Sequence, residues 1–381
     1  MSDGLVDVLL PVFNGDATVR QAMESIQRQS VNNIRIFVID DGSTDSTPEI
    51  LADISKADSR VHVLTKKNSG IVDALNLGIS HCSAEFIARH DADDLAYPSR
   101  LADQIAYLEA HPKCVAVSCA ARHIDEHGRP TGVVARLPSP NSADPTWVPS
   151  REPYLLHPFL TARRSCIRDV QGYRHVYHAE DTDLYWRLQE IGELHNMDAI
   201  LGDYRIHPLS ITGASVLNGR ISALSSQLAG ISTMRRKARR PDLTFSKRAI
   251  QQYHLAQSLP KIFEAGCCGL DEDEVAYLEV ALASKMLELA AYRPYELELD
   301  DCKFIRKAIV RRGRRLRPEN DALLSRQLAG TAARLAHRGM LAEAVTLLPL
   351  GSYPAALVRL AFRACVPLRR RANISRNRPD K

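Results

Sequence analysis

The first 120 residues alternate between two hydrophobic periods. Val6–Val12 is a short β-branched and leucine-rich run, and between Ala17 and Gln29 the apolar positions Val19, Ala22, Met23 and Ile26 recur at helical spacing. Ile34–Ile39 reads as a strand again. Ser46-Thr-Pro-Glu49 has the form of a capping box opening a helix that carries Ile50, Leu51 and Ile54. Strand-like Val61–Leu64, helical Ile71–Ile79, strand-like Phe86–Ala88, helical Ser99–Ala110 and strand-like Val115–Ser118 continue the series. This period predicts βαβ units, and so an α/β fold with a mostly parallel sheet and helices on both faces.

Further along, residues 136–160 are proline-rich and irregular around Trp147, which predicts a long loop or flap. A helix is expected at Asp181–Ile191 and strand-like material near Ala199–Ile206. Strand signals fade from about Leu217, and Gln251–Ala265, Glu272–Ala291 and Asn320–His337 read as amphipathic helices. The expected division is a sheet domain over 1–216 and an α-helical C-terminal region with a basic tail over 217–381.

At 381 residues, 45% hydrophobic and 25% charged, the composition is that of a globular chain with room for two domains. The eight cysteines show no CxxC or CxxxC spacing, which fits reduced thiols in a cytosol better than a disulfide framework or a zinc site. The N-terminus lacks a basic leader and reads as a first strand. No apolar run reaches the roughly 18 residues that a membrane span needs. The net charge of +5 conceals an asymmetry: from Asp301 to Lys381 there are 19 Lys/Arg against 5 Asp/Glu, or +14 by difference.

Ligands of doubly wound sheets bind beyond the carboxyl ends of the strands. The unusual polar clusters fall at those ends: Phe13-Asn14-Gly15 after the first strand, Asp40-Asp41-Gly42-Ser43 after the second, Asn68-Ser69-Gly70 after the third, and Asp91, Asp93 and Asp94 after the fourth. A DxD pair at a strand end suits Mg²⁺ or Mn²⁺, hard ions that take carboxylates together with substrate phosphates. The same residues also suit a solvated acidic turn in which Asp94 caps the next helix. The Asp40–Asp45 cluster fits either recognition of a base and ribose or an Asx-turn leading to Ser46.

Taken together, "LLPVFNG", "IFVIDDGSTDST", "KKNSGIVDALNLGI" and "FIARHDADD", in this order and spacing, closely resemble the family 2 glycosyltransferases, inverting enzymes of the GT-A fold. The resemblance runs from about Val6 to Thr212. It implies a nucleotide-diphospho-sugar donor, with a UDP-sugar favoured, and a divalent cation, Mn²⁺ or Mg²⁺. It sets the nucleotide against Pro11, Phe13 and Asn14, brings Asp41 to the base, and borders the donor with Asn68, Gly70 and Asn76. Asp91 and Asp93 match the DxD pair, Asp93 being the metal contact with Asp94 close by. "YHAEDTDLYWRL" matches the family's acidic pair at a helix start, which implies Asp181 as general base and Glu180 as a neighbour able to share the role. His207, in "YRIHPLSIT", matches a histidine near metal and diphosphate, with Ser210 and Thr212 as further diphosphate donors. His157 fits the acceptor-side loop.

One departure is informative. Processive synthases of this family carry Q-x-x-R-W after the base motif and several membrane spans. Here Trp186-Arg187 lies inside the base helix and no such element follows, so one sugar, or a few, is expected per encounter. The implied acceptor is a saccharide or lipid-linked hydroxyl, in cell-surface polysaccharide or glycolipid synthesis. The tail "YPAALVRLAFRACVPLRRR" interleaves apolar and basic positions, which suits peripheral docking on anionic lipid at the cytoplasmic face of a membrane. A solvated basic helix is the other reading of that segment. Nucleic acid is not an expected partner, since no aromatic interleaving or binding motif accompanies the charge. Two alternatives remain at this point. One is a nucleotidyltransferase, disfavoured because Pro11–Asp16 is neither glycine-rich nor basic. The other is a non-catalytic, membrane-docked sugar-nucleotide-binding protein, which would have no need of a carboxylate at Asp181.

Overall fold

The structure is a computed structural model that describes residues 6–206, 215–312 and 318–348. Its first half alternates strands and helices: β1 (Val6–Val12), α1 (Val19–Gln27), β2 (Ile34–Asp40), α2 (Thr47–Ala57), β3 (Val61–Thr65), α3 (Ile71–His81), β4 (Phe86–Arg89), β5 (Leu95–Ala96), α4 (Arg100–Ala110) and β6 (Cys114–Ile124). There follow β7 (Pro130–Ala135), β8 (Thr161–Arg163), α5 (Arg164–Asp169), α6 (Glu180–Gln189) and β9 (Glu193–Arg205). The described strands form one mixed sheet in the order β3-β2-β1-β4-β8-β6-β9-β5, with β7 paired to β6. β1, β2, β3 and β4 run parallel, β8 is antiparallel to both β4 and β6, and β9 returns parallel to β6.

Strand alternation sorts the apolar side chains onto two faces. Val6, Val8, Leu10, Ile36, Val38, Phe86 and Ala88 pack against Ala22 and Met23 of α1, Leu51 of α2 and Leu101 and Ile105 of α4. Leu9, Phe37, Ile39 and Ile87 pack on the other face against Val72 and Leu75 of α3, Ile167 of α5 and Leu184 and Leu188 of α6. The sheet is thus covered on both sides, and the strand order reverses between β1 and β4. Such a reversal opens a crevice at the carboxyl ends of the strands.

The polar exceptions inside this unit are braces. Asp7 is fully buried on β1 and accepts from Arg35 Nε and Nη2 at 2.7 and 2.8 Å and from the backbone N–H groups of Ser83 and Ala84 at 2.7 and 2.8 Å. It therefore fixes the entry to β4. Arg100, also fully buried, donates to Arg89 O at 2.5 Å and to His90 Nδ1 at 3.1 Å and lies over the Phe159 ring.

The chain divides into two compact units. The first takes the chain up to Pro145, Arg151 through β9, and Ser232–Ser246; the second takes Thr146–Ser150, the stretch before Ser232, and the helices from Lys247 on. The helices of this later part are α7 (Val216–Lys237), α8 (Lys247–Ala256), α9 (Leu259–Gly266), α10 (Glu272–Ala290), α11 (Leu299–Arg312), α12 (Pro318–His337) and α13 (Leu341–Leu347). Within the helical unit Arg220 forms an ion pair with buried Asp301 at 2.8 Å, and Thr146–Ser150 is held by Tyr277 Oη on Trp147 O and by Gln227 on the Ser150 N–H. That short stretch, expected as part of a flap, belongs to the helical unit.

Three local expectations are corrected. Ser46 makes no side-chain cap: Pro48 at the second helical position has no N–H to offer, and the first helical N–H, that of Thr47, is held by Asp45 Oδ1 at 3.0 Å. The helix expected over Gln251–Ala265 is two helices, broken at Gln257 with φ 60°, because Pro260 fits only a first turn. α7, α11 and the full lengths of β6 and β9 exceed what the pattern indicated. The basic tail lies outside the described residues. Among the described residues no helix is long and apolar enough to cross a membrane, and the seven cysteines are free thiols.

Replacing Asp7 by Ala strands two buried backbone donors and one guanidinium. We expect a loss of about 3 kcal/mol in unfolding free energy, read from the midpoint shift in a denaturant titration.

Candidate active site

The rim is assembled by loops that hydrogen-bond one another. Asn14 takes a left-handed conformation, φ 51°, which its short amide tolerates. Its N–H donates to Ser43 Oγ at 2.9 Å and its Oδ1 accepts from the Thr44 N–H at 2.8 Å, while the Gly15 N–H donates to Thr47 Oγ1 at 2.9 Å. The loops after β1 and β2 are thereby zipped together. Pro11 is buried in β1, and Phe13, 51% exposed, presents an aromatic face at the rim.

Asp41 ties in the third loop. Its Oδ1 accepts from Lys66 Nζ and from the Ser69 N–H at 3.0 Å, and its Oδ2 accepts from the Gly70 N–H at 2.8 Å. Gly42 makes this approach possible: its φ is 77°, and a Cβ there would stand 2.8 Å from Asn68 N. Asn68 is exposed, and Gly70, φ 92°, precedes α3 with open space around it. Asn76 behaves differently from the rest of its motif. Both ends of its amide are engaged by the Tyr173 backbone, Nδ2 to O at 2.8 Å and Oδ1 from N–H at 2.9 Å. It braces the turn that leads to α6.

The acidic cluster follows β4. One carboxylate oxygen from each of Asp91, Asp93 and Asp94 lies within 4.8 Å of the others. Asp94 is 1% exposed; its Oδ1 accepts from the Arg205 N–H at 2.7 Å, and its Oδ2 is buried without a hydrogen-bond partner. Burial, then the charges of Asp91 and Asp93, raise its proton affinity well above that of an ordinary aspartate. His90 beneath it is kept neutral by burial and by Arg100; with Nδ1 accepting from Arg100, its Nε2–H donates to Asp94 O at 3.1 Å. Three crowded carboxylates with an orphaned oxygen are a group that could hold a cation. Their all-oxygen character suits Mg²⁺ or Mn²⁺ and not a thiophilic metal. His207, Ser210 and Thr212 lie outside the described residues.

Glu180, Asp181 and Asp183 crowd the first turn of α6, where the helix dipole favours negative charge. Asp183 is spent on structure: it is fully buried between Arg174 and Arg187, with Arg187 Nη2 at 2.7 Å. Glu180 and Asp181 are half-buried and have no ion-pair partner among the described residues; Asp181 Oδ1 accepts from the Thr182 N–H at 2.7 Å. Burial, reinforced by the Asp181 charge, pushes the Glu180 carboxyl up to about 7. Burial likewise raises Asp181, opposed by the Thr182 hydrogen bond and by Arg89. His157 donates to or accepts from Tyr173 Oη at 2.7 Å, and burial holds it neutral. The Asp91 charge is felt at Glu180, so the base candidates and the acidic cluster share one electrostatic field. A separate depression of about 350 Å³ beside α1, lined by Glu24, Arg28, Tyr97 and Asp203, contains none of these groups.

The pattern-based reading missed Lys66, Arg89, Tyr173 and Asp183. Lys66, Arg89 and Asp183 stand inside quoted motifs, but their burial and their pairing, with Asp41, with Asp91 and with Arg174 and Arg187, do not follow from the motif pattern. Nothing local marks Tyr173.

Comparisons with known proteins bear on the family and the fold. The family model described as Glycosyl transferase family 2 matches residues 7–170. EpsE of Bacillus subtilis (strain 168), named as a glycosyltransferase, is 32% identical over 193 residues, 49% of this chain and 67% of EpsE. The amylovoran biosynthesis glycosyltransferase AmsE of Erwinia amylovora is 29% identical over 191 residues, 49% of this chain and 71% of AmsE. Among solved structures, S. aureus TarS 1-349, crystallised in complex with UDP-GlcNAc, matches 94% of this chain and 91% of its own with a TM-score of 0.51 at 16% identity. At that identity the likeness speaks for the fold, which is GT-A. With a sheet whose rim gathers these loops, and a relative of which two thirds aligns at this identity, the chain belongs to glycosyl transferase family 2.

Proposed function

We propose that this transferase is an inverting enzyme that moves one sugar, of the hexosyl or N-acetylhexosaminyl class, from a nucleotide-diphospho-sugar to a hydroxyl of a saccharide or lipid-linked acceptor. A UDP-sugar is the favoured donor, and the product serves cell-surface polysaccharide or glycolipid synthesis. The observations that carry this reading are the three-aspartate cluster after β4, with its orphaned oxygen, and the Glu180–Asp181 pair at the start of α6, which has no ion-pair partner among the described residues. Residues 1–216 form the transferase domain in this account, and 217–381 the helical region. The basic last 80 or so residues dock it peripherally on the cytoplasmic face of a membrane, a reading supported by their charge alone.

Each group then has a task. Phe13 stacks on the base, with Pro11 and Asn14 shaping its edge. The Asp41-organised loop, with Asn68 and Gly70, borders the donor. Asp93 and Asp91, joined by His207 as the family resemblance implies, would hold Mn²⁺ or Mg²⁺, and the bound ion would neutralise the charge that develops on the departing diphosphate. Asp181 takes the acceptor hydroxyl's proton as that oxygen attacks the anomeric carbon on the face opposite the diphosphate. The bond to the diphosphate breaks with its electron pair, and the configuration inverts.

A donor screen tests the reading: purified protein with UDP-, GDP- and dTDP-sugars, scored by nucleotide release with Mn²⁺, Mg²⁺ or EDTA. Turnover with one donor class that EDTA abolishes is expected; turnover of none, with or without metal, contradicts it.

Asp181→Asn should lower kcat by about 10²–10⁴ with little change in melting temperature. A fall of less than tenfold would remove Asp181 from the base role.

The Glu180 shift also fixes a sign. A carboxyl raised from its ordinary value of 4.5 to about 7 binds more protons in the folded state than in the unfolded one across that window. Stability from this group is therefore lost as pH rises from about 4.5 to 7. Glu180→Gln should raise the melting temperature at pH 8 and leave it nearly unchanged at pH 4.5; an equal effect at both would show that Glu180 is not held in this state.

A further inference from the structure

The first turn of α6, which carries Glu180 and Asp181, is anchored through Asp183 in the same turn. Asp183 is fully buried, and guanidiniums take both of its oxygens. Arg174, from the turn before α6, sets Nη2 on Oδ1 and Nε on Oδ2 at 3.0 Å. Arg187, one helical turn further on, sets Nε and Nη2 on Oδ2 at 2.9 and 2.7 Å. Two cations against one carboxylate leave positive charge unmatched in a largely buried place.

The balance comes from a distant strap of chain, Ser232–Ser246, which belongs to the sheet unit. Asp242 Oδ2 accepts from Arg174 Nη1 at 2.9 Å and from Arg236 Nη1 at 2.8 Å, and its Oδ1 accepts from Ser232 Oγ and from the Leu243 N–H at 2.6 Å. Ser232 Oγ in turn accepts from Arg174 Nη2 at 3.1 Å and Arg236 Nη1 at 2.7 Å. Phe245 sets its ring against the Arg174 guanidinium, 4.9 Å from carbon to centroid. Arg236 then reaches the other end of α6: its Nε and Nη2 lie 3.0 and 2.8 Å from Oε1 of Glu190, the residue that caps the helix. Arg174, Arg187 and Arg236 thus face Asp183, Asp242 and Glu190, charge for charge. Arg174, Asp183, Arg187 and Glu190 all sit on α6 or on the turn leading into it. The strap ties them to a separate segment and grips a helix of ten residues at both ends.

We propose that Asp242 and Arg236 are positioning residues of the transfer reaction, the two clasps of a strap that fixes α6 and with it the Glu180–Asp181 pair. The inference rests on the base role given to that pair above. Each clasp acts through another residue, Asp242 through Arg174 and Asp183, Arg236 through Glu190. The precision matters because a catalytic group misplaced by about 1 Å can cost about 10²-fold in rate.

Two measurements on the full chain test this. The first uses the metal-supplemented enzyme with the donor found by the screen, well below the melting temperature of each variant. Asp242→Asn keeps the shape of the side chain but removes the charge that two guanidiniums share. It should lower kcat by about 10–10²-fold and leave the donor KM within about twofold of wild type. A kcat within about twofold of wild type, or a donor KM that rises as far as kcat falls, overturns the proposal. The second reading needs no turnover. Hydrogen exchange followed by mass spectrometry should show the amides of α6 losing protection in Asp242→Asn while those of β1 and β2 keep theirs. Unchanged protection of α6 overturns the proposal, and so does a loss spread evenly over α6, β1 and β2. Arg236→Gln, which opens the Glu190 end, should give the same two results and serves where Asp242→Asn does not fold. An empty donor screen with α6 selectively loosened counts against the transfer chemistry and supports the strap.

Discussion

Like charges that sit closer than water would allow must be matched by something. Here that constraint is concentrated at the carboxyl ends of β1, β2 and β4, where Asp91, Asp93 and Asp94 converge within 4.8 Å. The strand order reverses at β1 and β4, so the crevice of the sheet and its densest negative charge coincide. Asp94 shows the strain most plainly, with one oxygen on the Arg205 N–H and the other buried and unmatched. A divalent ion with a diphosphate is the kind of ligand that relieves it, by adding positive charge and oxygen ligands at once.

The rest of the unit keeps that cluster in place with buried polar braces. Asp7 fixes the turn into β4, Arg100 grips the β4 end and His90, and Asn76 and Asp183 fix the approach to α6 and its first turn. Asp7 and Asn76 do this at long range, one side chain satisfying backbone groups of another segment, and Arg100 and Asp183 do it over shorter stretches of chain. Removing one partner strands the others, which is why such groups matter more than their number suggests. The two acidic groups of the site are held by separate elements: the cluster by the loop after β4, where Arg89 donates to Asp91, and the Glu180–Asp181 pair by the first turn of α6.

Much of the fold was legible because β-branched runs and helical spacing alternate cleanly through the first 120 residues. The rim clusters were legible because, although Asn, Asp and Gly after one strand suit an ordinary turn, four such clusters fall at the carboxyl ends of four successive strands. The misreadings have physical causes. At Ser46 the capping-box pattern was present, but the hydroxyl makes no cap and it is Asp45 that holds the first helical N–H. Asn76 matched its motif, yet its amide partner is 97 positions away, where no local pattern reaches. α7 is rich in Ser and Gly, and the glycines look like helix breakers until Gly219 is found 2.2 Å, by its would-be Cβ, from the Tyr295 hydroxyl. Arg89 was in plain view in "FIARHDADD", but an arginine at a strand end usually snorkels to solvent, and only the fold shows it buried.

The central claim is that these aspartates bind a divalent ion in concert with a nucleoside diphosphate. Mn²⁺ binding followed by electron paramagnetic resonance, with and without UDP, tests it most directly. The account predicts that bound Mn²⁺ rises when UDP is added, and that Asp93→Asn abolishes the binding while Asp183→Asn, if folded, does not. Equal Mn²⁺ binding by wild type and Asp93→Asn, with no response to UDP, GDP or dTDP, would contradict it.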